Sequence, residues 1–332
     1  MLIRDVLPLI EEAAGRVYSL VQETPLVPLP RAGDTRASGG PAFAKLEQLQ
    51  RSGSFKLRGA TNKLMSLGPA AAAGVITSST GNHGLGVATA AQFLSIDAEV
   101  FLSAQVSPAK RDKIRALGAR IRIEGDDPLA AELAARRAAH ESGRTYISPY
   151  NDPYVIAGQG TIAVELMRQL PDLDAIFIAT GGGGLISGVG SYLRQHAPHA
   201  QIIGCWPENS AVLYECLKAG RIIDAPEAPT LSESTAGGVE PGSITFELCR
   251  QVMNRAVLVS EAEILSAMRW GHTQGWAMEG ASGVALAAYF KEAERYAEKK
   301  AVVLICGGNP SPAVAELMAR STATRSGSKE PR

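Results

Sequence analysis

The chain is short of several things, and each shortage removes a class of function. Its 332 residues hold only four cysteines, Cys205, Cys216, Cys249 and Cys306, with no CxxC spacing and in apolar or helical surroundings. A disulfide framework is therefore not expected, and reduced thiols in a cytoplasm are. Charge of one sign is not in excess: Lys plus Arg (33) equals Asp plus Glu (33). No global field then favours nucleic acid or an anionic membrane, and any anion site must be local. No apolar run approaches the ~18 to 20 residues that span a bilayer. The opening MLIRDVLPLIEEAAGRV is interrupted by Arg4, Asp5, Glu11 and Glu12, so neither a signal peptide nor an anchor is expected. No repeat of 20 to 50 residues is visible, and the nucleotide signatures GxxxxGK[ST] and GxGxxG are both missing.

What is present is an alternation. Short β-branched runs at 74–79, 97–104, 119–125, 174–180, 200–206 and 301–306 are each followed by a helical pattern, and RTYIS (144–148) adds a short strand. Nearly continuous apolar runs between helices predict parallel sheets covered on both faces. The fold class expected is α/β, with two parallel-sheet domains and the smaller inserted in the larger. The large domain takes 1–73 and 150–320, the small one takes 74–149, and ligands sit in the cleft between them. The polar tail 321–332 is expected to be disordered.

Chemistry concentrates at a few loops. Gly181, Gly182, Gly183 and Gly184, then Leu185, follow an apolar strand and open a helix. Four glycines in a row cost backbone entropy, which a positive φ or a close approach must offset. Bare N–H groups at a helix start suit a phosphate, and an acidic side chain at Gly183 would face it; a tight turn with no ligand explains the same residues. Ser79, Thr80, Asn82 and His83 lie in SSTGNHG, another strand-to-helix turn, which reads equally as capping and as a carboxylate site. Cys306 opens CGGNP after the last strand, where parallel sheets place ligands; a plain glycine turn would look the same. Lys56 follows Ser52, Gly53, Ser54 and Phe55, neighbours that make a poor charged surface and a good pocket wall. In such a pocket its pKa falls and the amine becomes a nucleophile toward carbonyls.

SGSFKLRGA, SSTGNHG, TGGGGLISG and CGGNP, in this order, resemble the fold type II (tryptophan synthase β-like) pyridoxal-phosphate enzymes, in particular the serine/threonine dehydratase and serine racemase group. The likeness extends over about 20–320 and includes TPLVPLP and IAGQGTIAVE. It implies pyridoxal 5'-phosphate as cofactor, with Lys56 as the Schiff-base lysine and Phe55 against the ring. Asn82 would bond the ring hydroxyl, and Gly181 to Leu185 would cradle the phosphate. Cys306 would face the ring nitrogen, and Asn151 would stand at the pocket edge. Ser79, Thr80 and His83 would take the substrate carboxylate. A neutral thiol cannot keep the ring nitrogen protonated, which favours prompt β-elimination. Glu279 resembles an acidic position near the cofactor.

The activity implied is a lyase that converts L-threonine, L-serine or a related β-hydroxy amino acid to a 2-oxo acid and ammonia. The alternative is a serine racemase, or a lyase for 3-hydroxyaspartate or phenylserine. A non-catalytic phosphate-binding protein is the reading without the likeness. Where metal-dependent relatives have Glu-Pro, this chain has Trp206-Pro207, so no metal is expected and the indole is expected to pack that strand end. Racemase relatives carry a further arginine, and here the matching place has Ala130, Ala131 and Glu132. No regulatory domain is expected after 320. The expected partners are the amino-acid substrate and a second copy of the chain, as a cytoplasmic homodimer.

Overall fold

The computed structural model describes residues 1–30, 42–79, 81–104 and 106–323. Its strands are β1 (Leu26–Pro28), β2 (Ala42–Leu46), β3 (Val75–Ser78), β4 (Ala98–Leu102), β5 (Arg120–Ile123), β6 (Thr145–Tyr146), β7 (Ala175–Ala179), β8 (Gln201–Pro207), β9 (Arg255–Val259) and β10 (Ala301–Ile305). They form a six-stranded sheet in the order β1-β2-β10-β7-β8-β9 and a four-stranded sheet in the order β5-β4-β3-β6. Every pairing is parallel except that of β1, which runs antiparallel to β2 at the edge.

The helices are α1 (Ile3–Arg16), α2 (Lys56–Ser66), α3 (Asn82–Leu94), α4 (Pro108–Ala116), α5 (Pro128–Ser142), α6 (Pro153–Gln169), α7 (Gly184–His196), α8 (Val212–Ala219), α9 (Ile244–Val252), α10 (Glu261–Thr273), α11 (Gly280–Lys291) and α12 (Pro312–Ala323). Strands β7 and β10 are buried along their whole length, as expected of central parallel strands covered on both faces. The core of the larger sheet gathers Ile176, Phe177, Ile202, Val303 and Ile305 with Val284 and Leu286 of α11. A second core joins Val6 and Ile10 of α1, Leu57 and Leu64 of α2, and Val75, Val87 and Val100 around the smaller sheet. Continuity of that core seats the smaller sheet on α2, whose first residue is Lys56.

Three strands lie outside the runs singled out from the sequence: β1, β2 and β9. In β2 the reason is chemical. Lys45 sits mid-strand, fully buried, with its ammonium 2.5 Å from Glu165 of α6. Arg58 of α2 bonds Glu47 at 2.7 Å and Glu165 at 2.6 Å, all with no exposed side-chain surface. Two cations and two carboxylates thus balance inside the protein. Such a network adds little net stability over an apolar core, but loss of one member leaves an unpaired buried charge costing about 3 to 5 kcal/mol. It ties β2, α2 and α6 together immediately behind Lys56. The tail expected from 321 divides: 321–323 end α12, and 324–332 lie outside the described residues.

Candidate active site

Lys56 is set by a seam between two loops. Gly53 has φ 77°, a left-handed turn that glycine adopts without penalty. The N–H of Phe55 donates to the Cys306 carbonyl at 3.0 Å, and the N–H of Gly308 donates to the Gly53 carbonyl at 2.9 Å. This stitching fixes the start of α2 against the end of β10. The Lys56 ammonium lies 5.3 Å from the centre of the Phe55 ring and donates to the Pro149 carbonyl at 2.7 Å. Burial pushes its pKa down to about 8, and the Glu279 carboxyl pulls the other way. An amine so poised is a nucleophile near neutral pH.

The four glycines follow β7 and lead into α7, with Gly183 at φ 85° as its N-cap. The first turn of a helix leaves its N–H groups without intrahelical partners, and here they open on a cavity of about 850 Å³ lined by Gly181 to Leu185, Phe55, Lys56, Asn82, Tyr150 and Cys306. The glycines are also forced by packing. A Cβ at Gly181 would stand 2.9 Å from the Thr235 backbone, one at Gly182 2.7 Å from the Tyr150 ring, and one at Gly184 3.0 Å from Tyr150. At Gly183 the expectation of a side chain facing the anion is overturned. Its Cβ would point at Cys249 Sγ, 2.8 Å away, and into the core.

A polar network closes the other side. Asn82 Nδ2 donates to both oxygens of Glu279 at 2.8 Å, and Asn82 Oδ1 accepts from Asn309 Nδ2 at 2.8 Å. Ser234 Oγ and the Asn309 N–H also donate to Glu279, at 2.9 and 3.2 Å. Burial raises the Glu279 carboxyl above its usual range, and these donors, with Lys56, oppose the rise. Cys306 is buried beside Ser282, 3.6 Å from its hydroxyl. Burial pushes this thiol well up, so it stays protonated.

A second cavity, about 250 Å³, shares Lys56, Asn82, Pro149 and Ser234 with the first and adds Ser79, His83 and Glu279. Ser79 Oγ accepts the Gly81 N–H at 3.2 Å. Thr80 lies outside the described residues. The His83 ring turns its Nε2 to the Ile147 carbonyl at 2.9 Å, which assigns the proton to that nitrogen. Burial, then Lys56, pushes the imidazole down to about 3. The ring is therefore neutral, which leaves the Ser79 hydroxyl and the backbone N–H groups at the start of α3, among the described residues, to meet an anion. Asn151 lines neither cavity; it sits behind Tyr150, where its Oδ1 accepts the Ile244 N–H at 2.9 Å and anchors the start of α9. The expected place at the pocket edge belongs to Tyr150.

Tyr150, Ser234 and Thr235 were not legible as site residues, because nothing in their local pattern separates them from ordinary loop residues. The signal available was length: the irregular stretch 221–243 between α8 and α9 is long enough to suggest a binding loop. Trp206 is 1% exposed, and its ring meets Tyr214 of α8 with centroids 5.9 Å apart. Among the described residues, no group of three or more His, Cys, Asp or Glu side chains is placed to hold a metal, and no helix is long and apolar enough to cross a membrane.

Comparison with known proteins agrees with this chemistry. Residues 17–307 match the family model described as pyridoxal-phosphate dependent enzyme. The chain is 39% identical to an L-threonine ammonia-lyase of Thermotoga maritima over 277 residues, covering 83% of this chain and 69% of that protein. It is 36% identical to a beta-hydroxyaspartate dehydratase of Paracoccus denitrificans, covering 90% and 94%. Among solved structures, threonine deaminase isoform 2 of Solanum lycopersicum superimposes with a TM-score of 0.89 at 32% identity, covering 96% of this chain and 93% of that one. Maize serine racemase gives 0.85 at 27%, covering 96% and 98%. With a family model spanning most of its length, the chain belongs to the pyridoxal-phosphate-dependent enzymes.

Proposed function

We propose that the chain is an ammonia-lyase that converts a β-hydroxy amino acid, L-threonine or L-serine among them, to a 2-oxo acid and ammonia. The observation that carries this reading is the Lys56 amine, depressed to about 8, in a wall common to a glycine cradle and a polar turn. The names of relatives support it, since a threonine ammonia-lyase and a hydroxyaspartate dehydratase both remove a β-hydroxyl.

The residues fit the cofactor. Lys56 offers an amine to its aldehyde, the open N–H groups from Gly181 to Leu185 suit its phosphate, and Phe55, in the same cavity wall, would flank the ring. Asn82 is turned by Glu279 so that its amide is held for the ring hydroxyl. Cys306, protonated, puts no negative charge at the ring nitrogen. When bound, pyridoxal phosphate supplies an electron-accepting ring that acidifies the substrate α-proton. Lys56 Nζ, freed when the substrate amine takes its place on the cofactor, would then take that proton, which its lowered pKa allows near neutral pH. The Ser79 hydroxyl, oriented by the Gly81 N–H that it accepts, and the His83 N–H hold the substrate carboxylate at the start of α3. Loss of the α-proton and β-hydroxyl amounts to one water, and the released enamine hydrolyses to the 2-oxo acid and ammonia.

Residues 74–149 form the small domain of this enzyme, with 1–73 and 150–320 as the large one. The four cysteines, all free and buried, suit a cytoplasmic enzyme, and a homodimer is its expected assembly, to be weighed by light scattering. The functional test is release of 2-oxo acid from a panel of L- and D-isomers of threonine, serine and 3-hydroxyaspartate. Release from at least one L-isomer is expected. Inversion of chirality without any 2-oxo acid would make the chain a racemase and overturn the lyase assignment.

A further inference from the structure

Tyr150 touches both halves of the site and has no part in the chemistry above. Its ring lies on the glycine loop, where a Cβ at Gly182 would come within 2.7 Å of it. Its hydroxyl accepts the N–H of Glu240 at 3.0 Å. Glu240 belongs to the segment 231–241, which roofs both cavities. The Glu240 carboxylate in turn bonds Arg136 of α5 at 2.9 Å, and Arg136 is held by Glu132 at 2.8 Å and over the Tyr146 ring at 4.4 Å. A continuous path therefore runs from the glycine loop through the Tyr150 ring and hydroxyl to the roof and on to the smaller sheet's helix. The base of Tyr150 is fixed independently, because the Asn151 N–H donates to Ser148 Oγ at 3.0 Å and Asn151 Oδ1 accepts from Ile244.

We propose that Tyr150 is a two-ended positioning residue: its ring shapes the glycine loop for the cofactor phosphate, and its hydroxyl holds the roof segment over the substrate through Glu240 and Arg136. The two ends separate chemically. Phenylalanine keeps the ring and its contact with Gly182 while removing the hydroxyl that accepts from Glu240. Alanine removes both. Burial pushes the phenol up to about 12, so the hydroxyl is neutral throughout the working range and the Glu240 bond does not come and go with pH.

The inference rests on the reading of the glycine loop as the phosphate cradle. The test uses the holoenzyme and compares wild type, Tyr150→Phe, Tyr150→Ala, Arg136→Gln and the Phe/Gln double variant. Three quantities are read: cofactor dissociation by visible absorbance, amide hydrogen exchange over 231–243, and KM and kcat for L-threonine. Tyr150→Phe should hold the cofactor within about twofold of wild type, yet exchange its roof amides roughly fivefold faster and raise KM more than it lowers kcat, the scale set by one lost hydrogen bond. Arg136→Gln should act in the same direction, and the double variant should be no worse than the more severe single change, because both cut one path. Tyr150→Ala should in addition weaken cofactor binding about tenfold or more. If Tyr150→Phe exchanges its roof amides like wild type, or loses cofactor as severely as Tyr150→Ala, the two-ended role is wrong. A wild-type protein that takes up no pyridoxal phosphate would instead overturn the cradle reading itself.

Discussion

Two buried lysines, Lys45 and Lys56, show how surroundings turn one side chain into a structural cation and another into a reagent. Burial depresses both amines. At Lys45 the desolvation is answered by Glu165 Oε2 at 2.5 Å, the Thr24 carbonyl at 2.7 Å and Gln169 Oε1 at 2.9 Å. Three acceptors, one of them charged, occupy the ammonium's three donors. At Lys56 the ammonium donates to the neutral Pro149 carbonyl, and the acidic groups that act on it are a protonated thiol and a carboxyl itself raised by burial. An ammonium without a contacting carboxylate gives up its proton more readily, which is the state that adds to carbonyls.

The largest effect should come from Lys56→Ala. Loss of the amine proposed to bind the cofactor and carry the proton is expected to lower turnover at least ~10³-fold, a scale common for one positioned acid–base group, and to abolish borohydride-trapped cofactor. Residual turnover within tenfold of wild type would mean that another amine does this work. The same lysine predicts a pH dependence in cofactor-free protein. Only the unprotonated amine attacks an aldehyde, so the rate of cofactor uptake should rise with pH and level off above about 8. A rate still climbing past about 10, where an ordinary lysine titrates, would place Lys56 in water.

Lys45→Met should leave the Lys56 amine intact and reduce stability by about 3 to 5 kcal/mol, because Glu165 keeps only Arg58 as a cationic partner. The double change Lys45→Met with Glu165→Gln removes one charge of each sign and leaves Arg58 paired with Glu47. It should therefore cost less than the sum of its parts. Urea melts of the three variants decide this, and strict additivity would show that the four charges do not act as a unit.

Gly183→Ala comes next. A non-glycine residue in the left-handed region costs about 1 to 2 kcal/mol, and the added Cβ meets Cys249 Sγ at 2.8 Å. Gly183→Asp should weaken cofactor binding about as much as Ala through that distortion, with little dependence on salt. A much greater, salt-sensitive loss for Asp alone would mean that this position faces the phosphate after all.

These comparisons show what was legible. Central strands such as AIFIA (175–179) and AVVLI (301–305) declare themselves because burial on both faces admits only apolar residues. AFAKL (42–46) does not, since its lysine is compensated by a glutamate from a distant helix. The site divides in the same way. Lys56, the glycines and Asn82 carry local backbone signatures, whereas Tyr150 and Ser234 act through partners far away in sequence, Glu240 and Glu279. Asn151 stands one residue from the pocket wall, a distinction that only the turn of the chain makes. His83 was readable as a helix-start residue, but not as a neutral one.

That neutrality gives the smallest effect, an expected absence of titration. The His83 ring donates from Nε2 to a buried carbonyl and is held near a pKa of 3 by burial and by Lys56. Between about pH 5.5 and 7.5, where an ordinary histidine changes charge, its carbon-13 signal, assigned by its loss in His83→Gln, should stay constant. Stability carries the opposite signature. The unfolded chain protonates this ring below about 6.5 while the folded one does not, so its contribution to stability is present above that pH and is lost as pH falls toward 3. A signal that moves between pH 5.5 and 7.5, together with a substrate KM that rises as the ring loses charge, would mean that an imidazolium holds the substrate carboxylate. The backbone N–H groups at the start of α3 would then not be the anion's partners.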